Sequence, residues 1–272
     1  MNSLVVLDAC TIINLARIDE DYFIEDKIKA LMNVYAVEMV INELKDRYVP
    51  SVKTLKRQLH YVPYWGGLKK WENKEVEDKA KEVKVFLDYQ KKDNGELYST
   101  ALSILLSRLE SEKVLFYTDD FPAKNDFRPY FEFQQMGYIG DTVDLLVFLY
   151  WLSPKGQFSK DELEKYLTSL RGEYILKVKE LQEMIDHYAL MQPATKKGYK
   201  RKYELEGLSA DLTGSRDLID TINRCIKFFE DDKSVICNDI KKMLKGFTNC
   251  PLIVKKIDRT LQSIYNYGIY KL

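Results

Sequence analysis

The sequence has few of the residues that bind zinc or form disulfides. It contains four cysteines and two histidines in 272 residues, and none of them forms a CxxC or HxxxH pair. Zinc sites usually take their ligands from such short spacings. The sequence therefore predicts no zinc site, and its unpaired cysteines are typical of a reduced, cytoplasmic protein.

Long apolar runs and net charge are also missing. A membrane-spanning helix needs about 20 apolar residues, and the most apolar stretch, Val143–Leu152, is far shorter. No basic leader precedes the first apolar run, so the sequence predicts neither a membrane segment nor a cleaved signal. The 42 basic residues balance the 42 acidic ones, which gives no overall attraction for a polyanion.

The charges are nevertheless unevenly distributed along the chain. Residues 1–170 carry 23 basic and 28 acidic side chains, a net charge of −5, whereas residues 171–272 carry 19 and 14, a net charge of +5. This asymmetry suits an acidic catalytic domain with a basic part that holds a polyanion. Compositional drift in a lysine-rich protein is the alternative explanation.

Short apolar runs alternate with helical patterns along residues 1–170. Strands are predicted at Leu4–Leu7, Val34–Val37 and Lys113–Tyr117, with a further short strand through Tyr138–Ile139. Continuous apolar runs of this length are typical of strands buried on both faces of a parallel sheet. Alternation with helices predicts a three-layer α/β domain around a central parallel sheet.

Residues 171–272 show no strand pattern and are predicted to form an all-helical region. Separate helices are expected over Lys160–Leu170 and Glu173–Leu190, and residues 192–203 (QPATKKGYKRKY) are predicted to be a basic linker. Further helices are expected after it. Within the first domain, residues 49–74 contain prolines and a glycine pair and are predicted to be a long irregular connection.

Acidic residues directly follow two of the predicted strands. Asp8 comes after the first strand, and Asp119 and Asp120 come after the third with a single threonine between. Open parallel sheets bind ligands at the carboxyl ends of their strands, so these three acids are expected at one edge. Glu43 and Glu96 lie near the starts of helices that begin at the same edge if the crossovers are right-handed.

Carboxylates crowded at one edge repel one another unless cations neutralise them. A ligand set of oxygen atoms alone favours Mg²⁺ or Mn²⁺ over zinc. Two such ions about 3.5–4 Å apart can activate water and stabilise the leaving oxygen in phosphodiester cleavage. The sequence predicts that Asp8, Glu43, Glu96 and Asp120 hold one or two ions, with Asp119 as an additional ligand or water-orienting residue.

Four segments resemble, in order, the motifs of the PIN-domain nucleases. LVVLDACTIINLARID resembles the opening strand with the first metal-binding aspartate, here Asp8, and VINELKD is similar to the segment with the second acid, Glu43. DNGELYSTALSILL resembles the Gly-Glu variant of the third motif, which maps onto Glu96. VLFYTDDF resembles the strand and TxD motif that ends at Asp120, and GYIGDTVDLLVFLYWL resembles the closing strand and helix. The resemblance covers residues 1–170.

This resemblance implies a Mg²⁺- or Mn²⁺-dependent nuclease, in most relatives an endoribonuclease, and many relatives are toxins of toxin–antitoxin pairs. It therefore predicts an RNA-cleaving enzyme of toxin or defence type, with a protein inhibitor or antitoxin and a homodimer as partners to consider. Two features depart from minimal toxins: the long insertion between Glu43 and Glu96, and the last 100 or so residues. Asp93, one helical turn before Glu96, is an alternative third acid.

Two other functions stay open at this point. The domain could be an inactive scaffold that binds RNA or a protein through its helical region, although a scaffold has no need of crowded acids. It could also be a nuclease directed at DNA, which the sequence does not separate from a ribonuclease.

Basic and aromatic residues outside the acid set are candidates for nucleic-acid binding. The segment with Tyr61, Tyr64, Trp65 and Trp71 could stack on bases, or its rings could pack an inserted loop onto the domain. The basic run after residue 195 could contact phosphates or be a solvated linker, and Thr11 could contact substrate or cap a helix. Cys10 is interpreted as a packing residue rather than a nucleophile. The predicted contacts are Thr11, Lys69, Lys70, Lys196, Lys197, Lys200 and Arg201.

Overall fold

A parallel β-sheet organises the first part of the chain. The computed structural model describes residues 3–19, 21–46, 68–214, 218–230, 235–247 and 250–267. Within them lie five strands, β1 (Ser3–Leu7), β2 (Met32–Val37), β3 (Lys69–Trp71), β4 (Val114–Tyr117) and β5 (Gly137–Gly140). Their order in the sheet is β3-β2-β1-β4-β5, and every pairing is parallel.

The central strand, β1, is apolar at every position after its first residue. Leu4 is only 3% exposed, and Val5, Val6 and Leu7 are fully buried. The register pairs Val5 with Val34 of β2 on one side and with Leu115 of β4 on the other. A strand covered on both faces requires such a continuous apolar run, which is why the sequence predicted it correctly.

The α/β class, the parallel sheet and the four predicted strands are confirmed, but the sequence analysis missed β3. The prediction of an irregular connection over residues 49–74 is wrong at its end, because Lys69–Trp71 pairs with Tyr35–Val37 of β2. β3 is a three-residue edge strand with two exposed lysines. Short, charged edge strands lack the apolar pattern that identifies inner strands. Residues 49–67 lie outside the described residues.

Helices follow the strands and begin at their carboxyl ends. One helix starts two residues after β1, another directly follows β2, and two more start soon after β4 and β5. This topology brings four helix starts to one edge of the sheet. The helices up to residue 152 are α1 (Ala9–Ile18), α2 (Phe23–Leu31), α3 (Glu38–Asp46), α4 (Asn73–Leu87), α5 (Gly95–Glu110), α6 (Phe121–Gln134) and α7 (Thr142–Leu152).

The helix α5 is buried around most of its circumference. The Asn94 side chain caps it by accepting a hydrogen bond from the Leu97 amide at 3.0 Å. Leu97, Ala101 and Ile104 are buried, and the helix contacts α4 as well as β1, β2 and β4. This burial fixes the first turn of α5 beside the end of β1.

The chain divides into two units, Met1–Leu170 with Ile264–Leu272 and Arg171–Ser263. The described part of the second unit contains helices and turns but no strand, as predicted. Its helices are the later part of α8 (Lys160–Leu190), α9 (Lys196–Gly214), α10 (Leu218–Phe229), α11 (Val235–Phe247) and most of α12 (Cys250–Tyr267). No helix in the described ranges is both long and apolar enough to cross a bilayer.

Two predictions about helices after residue 152 are wrong. The separate helices expected over Lys160–Leu170 and Glu173–Leu190 are one helix, α8. Gly172 lies between them, and a Cβ at this position would meet no atom within 4 Å. Glycine inside a helix costs only about 0.5–1 kcal/mol relative to alanine, so it does not end α8.

The predicted linker over residues 192–203 is also wrong from Lys196 onwards, where α9 begins. Thr195 starts the helix: its hydroxyl accepts a hydrogen bond from the Gly198 amide at 3.1 Å, and its carbonyl accepts one from Tyr199 at 2.8 Å. A Cβ on Gly198 would lie 1.9 Å from the Pro193 carbonyl oxygen. Glycine is therefore required there by close packing, although its presence suggested a loop.

The close packing of β5 against β4 can be tested by substitution of Gly137. Gly137 begins β5 with φ of 153°, and a Cβ there would lie 1.9 Å from the Val114 carbonyl oxygen. We expect Gly137→Ala to lower the free energy of unfolding by about 1–3 kcal/mol, because the strands must separate. Urea denaturation measures this change. Gly172→Ala is the control and should be neutral or stabilising; equal losses in both variants would contradict the packing.

Candidate active site

Asp8 lies between β1 and α1 and is 2% exposed. Its Oδ2 accepts hydrogen bonds from the Cys10 thiol at 2.7 Å and from the Thr118 hydroxyl at 3.1 Å. Its Oδ1 is buried and has no hydrogen-bond partner. Burial raises the pKa of Asp8, whereas the hydrogen bonds from Cys10, Ala9 and Thr118 lower it. A buried acceptor without a partner costs free energy, and such an atom calls for a missing ligand.

Thr118 connects the ends of the two middle strands. Its Oγ1 donates to Asp8 and accepts a hydrogen bond from the Asp120 amide at 3.1 Å. Asp120 in turn caps α6, because its Oδ1 accepts from the Ala123 amide at 3.0 Å. One hydroxyl thus holds the Asp8 carboxylate near the backbone of Asp120.

Glu43 and Asp8 both approach the first residue of α5. A Cβ on Gly95 would lie 3.1 Å from Glu43 Oε1 and 3.4 Å from Asp8 Oδ1. It would also lie 3.1 Å from a methyl group of Val40. The missing side chain of Gly95 therefore leaves space next to both carboxylates.

Glu96 completes this group of acids. Its pKa is raised from an ordinary value of 4.5 to about 8, first by burial and then by the charges of Asp8, Asp120 and Glu43. Charges shift a pKa in this way only when they are close and poorly screened. The four residues predicted to hold a metal therefore lie near one another at the carboxyl edge of the sheet, and we call this group the acid crevice.

The side chains of the acid crevice do not form a ready coordination shell. In the part of the chain that the structure describes, no group of three or more His, Cys, Asp or Glu residues is arranged to hold a metal ion. Crowded carboxylates gain by moving apart or by taking up protons. The donor chemistry fits a hard cation, because all the donors are oxygens and one of them, on Asp8, is buried without a partner. The metal site itself stays a prediction.

Asp119 has contacts that differ from its predicted role. It is 5% exposed, and its carboxylate accepts hydrogen bonds from the Thr142 amide at 2.8 Å, the Thr142 hydroxyl at 2.5 Å and the Asn14 amide group at 2.5 Å. Burial, followed by the charge of Asp141, raises its pKa. These contacts connect the end of β4 to α1 and α7. They favour a positioning residue over the predicted ligand or water-orienting residue.

The contacts of Asp93 and Glu96 favour Glu96 as the third acid. Asp93 forms a salt bridge with Lys84 and accepts a hydrogen bond from the Tyr98 hydroxyl at 3.4 Å. The charge of Asp8, by contrast, is among the main causes that raise the pKa of Glu96. Glu96 is therefore the acid that faces Asp8.

Cys10 and Thr11, at the start of α1, are both held inside the domain. The Cys10 thiol donates to Asp8 and accepts from the Asp119 amide at 3.1 Å, and burial raises its pKa well above the ordinary value. A thiol that stays protonated is a poor nucleophile, which agrees with a packing role. Thr11 is fully buried, and the residue at the cap position of α1 is Asp8. Thr11 is therefore neither a cap nor accessible to nucleic acid.

A buried ion pair that the sequence analysis missed lies close by. Lys124 of α6 donates to Asp141 at 2.8 Å, and the two side chains are only 4% and 1% exposed. Asp141 also caps α7 by accepting from the Asp144 amide at 3.1 Å. Lys124 is the one buried basic residue among the described residues. No local motif indicates it, because the two residues are 17 positions apart, on either side of β5.

The predicted nucleic-acid contacts on β3 have partners within the domain. Lys70 forms a salt bridge with Glu38 at 3.1 Å, and the Lys69 ammonium lies 5.2 Å from the centre of the Tyr35 ring. Both lysines are exposed, so they stay candidates for phosphate contacts. Of the predicted aromatic cluster, Tyr61, Tyr64 and Trp65 lie outside the described residues.

Comparison with known proteins adds no assignment. Searches of the chain against models of protein families, curated proteins and solved structures gave no match. The function is therefore argued from the acid crevice and from the motifs themselves.

The raised pKa of Glu96 predicts how stability depends on pH without metal. The folded-state pKa of about 8 exceeds the ordinary value of 4.5, so folding takes up a proton between these values. The free energy of unfolding should fall as the pH rises from about 5 to 8. Glu96→Gln lacks this charge, so its pH dependence should be flatter and its Tm at pH 8 higher by about 2–4 °C for each kcal/mol gained.

Thermal denaturation in EDTA at several pH values tests this prediction. Glu110→Gln is a suitable control, because Glu110 is an exposed acid at the other end of α5. It should keep the pH dependence of the wild type. Identical pH profiles for the wild type and Glu96→Gln would contradict the proposed charge crowding.

Proposed function

We propose that residues 1–170 form a PIN-like, metal-dependent nuclease that hydrolyses phosphodiester bonds in RNA. In this proposal Asp8, Glu43, Glu96 and Asp120 hold one or two Mg²⁺ or Mn²⁺ ions. The observation that carries it is the acid crevice, where Glu43, Glu96 and Asp120 lie near Asp8 and the buried Oδ1 of Asp8 lacks a partner. A crowded set of oxygens is unfavourable without a hard cation.

Two further points support the proposal. The acid crevice lies at the carboxyl edge of an open parallel sheet, where ligands of such sheets bind. The four sequence segments that resemble PIN motifs carry the same four acids, in the order in which the motifs occur. A role as a toxin or defence enzyme, with an antitoxin or a second copy of the chain as partner, stays a prediction from that resemblance.

The residues around the crevice have definable roles in this reaction. A bound divalent cation would neutralise phosphate charge and lower the pKa of a water molecule. Thr118 fixes the Asp8 carboxylate relative to Asp120, and Asp119 holds the β4 end against α1 and α7. Gly95 keeps the space between Glu43 and Asp8 open.

Hydrolysis by this arrangement defines the products. Water attacks phosphorus in line with the bond to the 3′ oxygen, which leaves with a proton. The products are 5′-phosphate and 3′-hydroxyl ends. A 2′,3′-cyclic phosphate would instead require attack by the neighbouring 2′-hydroxyl, and its detection would rule out this mechanism.

The central test is cleavage of tRNA, mRNA and single-stranded DNA in Mn²⁺, with the cut ends mapped. We expect RNA cleavage that EDTA abolishes and that Asp8→Asn lowers by about 100-fold or more, as for removal of one group that stabilises a transition state. Asp93→Asn is the matched control, because Asp93 pairs with Lys84 instead of facing the crevice. It should retain wild-type activity.

Other results of the cleavage experiment would favour one of the alternative functions. No cleavage by either the wild type or Asp8→Asn would favour a scaffold without catalytic function, and equal cleavage by both would show that the acid crevice is not the source of the activity. Faster cleavage of DNA than of RNA would assign the chain to the DNA-directed alternative.

The space beside Gly95 gives a second, independent test. A methyl group there would crowd Glu43 and Asp8, so we expect Gly95→Ala to weaken Mn²⁺ binding and to lower RNA cleavage. Stability should change by no more than about 1 kcal/mol, because the helix preference of alanine is offset by the tight contacts of its Cβ with Glu43 and Val40. Calorimetric Mn²⁺ titration and cleavage assays measure both effects.

Gly207→Ala is the control for the glycine substitution. Gly207 also lies in a helix, and a Cβ added there would meet no atom within 4 Å. It should leave Mn²⁺ binding and cleavage unchanged. Wild-type Mn²⁺ affinity in Gly95→Ala would show that the space between the two acids is not the metal site.

A further inference from the structure

The first two turns of α9 expose tyrosine and lysine side chains along one face. Lys196, Tyr199, Lys200 and Tyr203 are spaced by three or four residues, which places them on the same side of a helix. Tyr199 is 63% exposed and Tyr203 is 79% exposed. The Lys200 side chain is 80% exposed. We call these four residues the Tyr–Lys stripe.

The opposite face of α9 packs within its own unit, which fixes the orientation of the stripe. Leu205 is fully buried. The Arg201 guanidinium lies 5.9 Å from the Tyr188 ring and 5.1 Å from the Phe228 ring. Arg201 therefore packs against rings of its own unit, and its predicted contact with nucleic acid stays a prediction. The exposed rings of the stripe, by contrast, are not core residues.

The stripe also lies in a segment of unbalanced charge. Residues 187–203 contain five basic side chains and no acidic one. The nearest acids form only loose pairs, Lys200 with Glu204 at 3.9 Å and Lys202 with Glu206 at 3.8 Å. Such exposed pairs contribute little. Cations in the first turns of a helix are also unfavourable next to the helix dipole, so a bound polyanion would complement this surface.

We propose that the Tyr–Lys stripe binds single-stranded RNA. Unpaired bases stack on exposed aromatic rings while cations follow the phosphates, and the stripe alternates these two groups within about two helical turns. Paired bases do not offer their faces for such stacking. The choice of RNA rests on the proposed function, whereas binding itself does not require the acid crevice.

Fluorescence anisotropy of the full chain with a labelled oligouridine of about 12 nucleotides tests the stripe. EDTA is present throughout, so binding is measured without metal or cleavage. We expect Tyr199→Leu and Tyr203→Leu each to weaken binding by about 5- to 150-fold, as for the loss of one stacked base. Tyr265→Leu is the matched control, because Tyr265 is 84% exposed and has no basic residue within one helical turn.

The salt dependence of binding tests the lysines separately. For a single strand, the slope of log K against log salt should fall in magnitude by about 0.7 for each phosphate contact removed. We expect this change in Lys196→Gln and in Lys200→Gln, and no change in Lys179→Gln, a control at an exposed lysine of α8. The substituted side chains are exposed, so the Tm of every variant should equal that of the wild type.

Three outcomes would overturn the proposal. RNA binding that does not depend on the two tyrosines would exclude stacking on the stripe. Tighter binding to oligothymidine of the same length would exclude RNA as the preferred strand, and tighter binding to anionic lipid vesicles would assign the surface to a membrane. RNA binding in EDTA without cleavage in Mn²⁺ would refute the proposed nuclease and support RNA binding by the stripe. Cleavage in Mn²⁺ without RNA binding in EDTA would support the nuclease and refute RNA binding by the stripe.

Discussion

The burial of negative charge at the end of the central strand is the constraint on which the rest of the first unit depends. β1 is covered on both faces, so Asp8, the residue that follows it, is buried as well. Its Oδ2 has two hydrogen-bond donors, Cys10 and Thr118, while its Oδ1 has none. The proposed chemistry follows from this imbalance, because a hard cation is the partner that would satisfy several such oxygens at once.

The surrounding polar network keeps this charge from disrupting the fold. Asp119 is satisfied by Asn14 and Thr142, and Asp141 is neutralised by Lys124. A buried carboxylate with full hydrogen bonding or an ion partner is tolerated, whereas one without them is strongly unfavourable. Asp119 and Asp141 therefore have structural partners, whereas Asp8 retains a buried oxygen without one.

The sequence predicted the inner strands and the acids at their ends well, because both follow from local rules. Continuous apolar runs identify β1, β2 and β4, and position after a strand identifies Asp8 and Asp120. The features that the sequence did not predict depend on residues elsewhere in the chain. The edge strand β3 has no apolar pattern, the start of α9 depends on how Gly198 packs, and the roles of Asp119 and Lys124 depend on partners from other helices.

The hydroxyl of Thr118 has one proton, which gives the hydrogen-bond chain a direction. The Asp120 amide donates to Thr118, and Thr118 in turn donates to Asp8 Oδ2. That oxygen also accepts from Cys10, so it has no room for a proton of its own. A proton on Asp8 is accommodated more easily on Oδ1, the atom 3.4 Å from a Cβ built on Gly95. Protons and cations would then compete for a single oxygen, Oδ1. Thr118→Val removes the hydroxyl that donates to Oδ2, so in that variant Oδ2 would also be able to take up a proton.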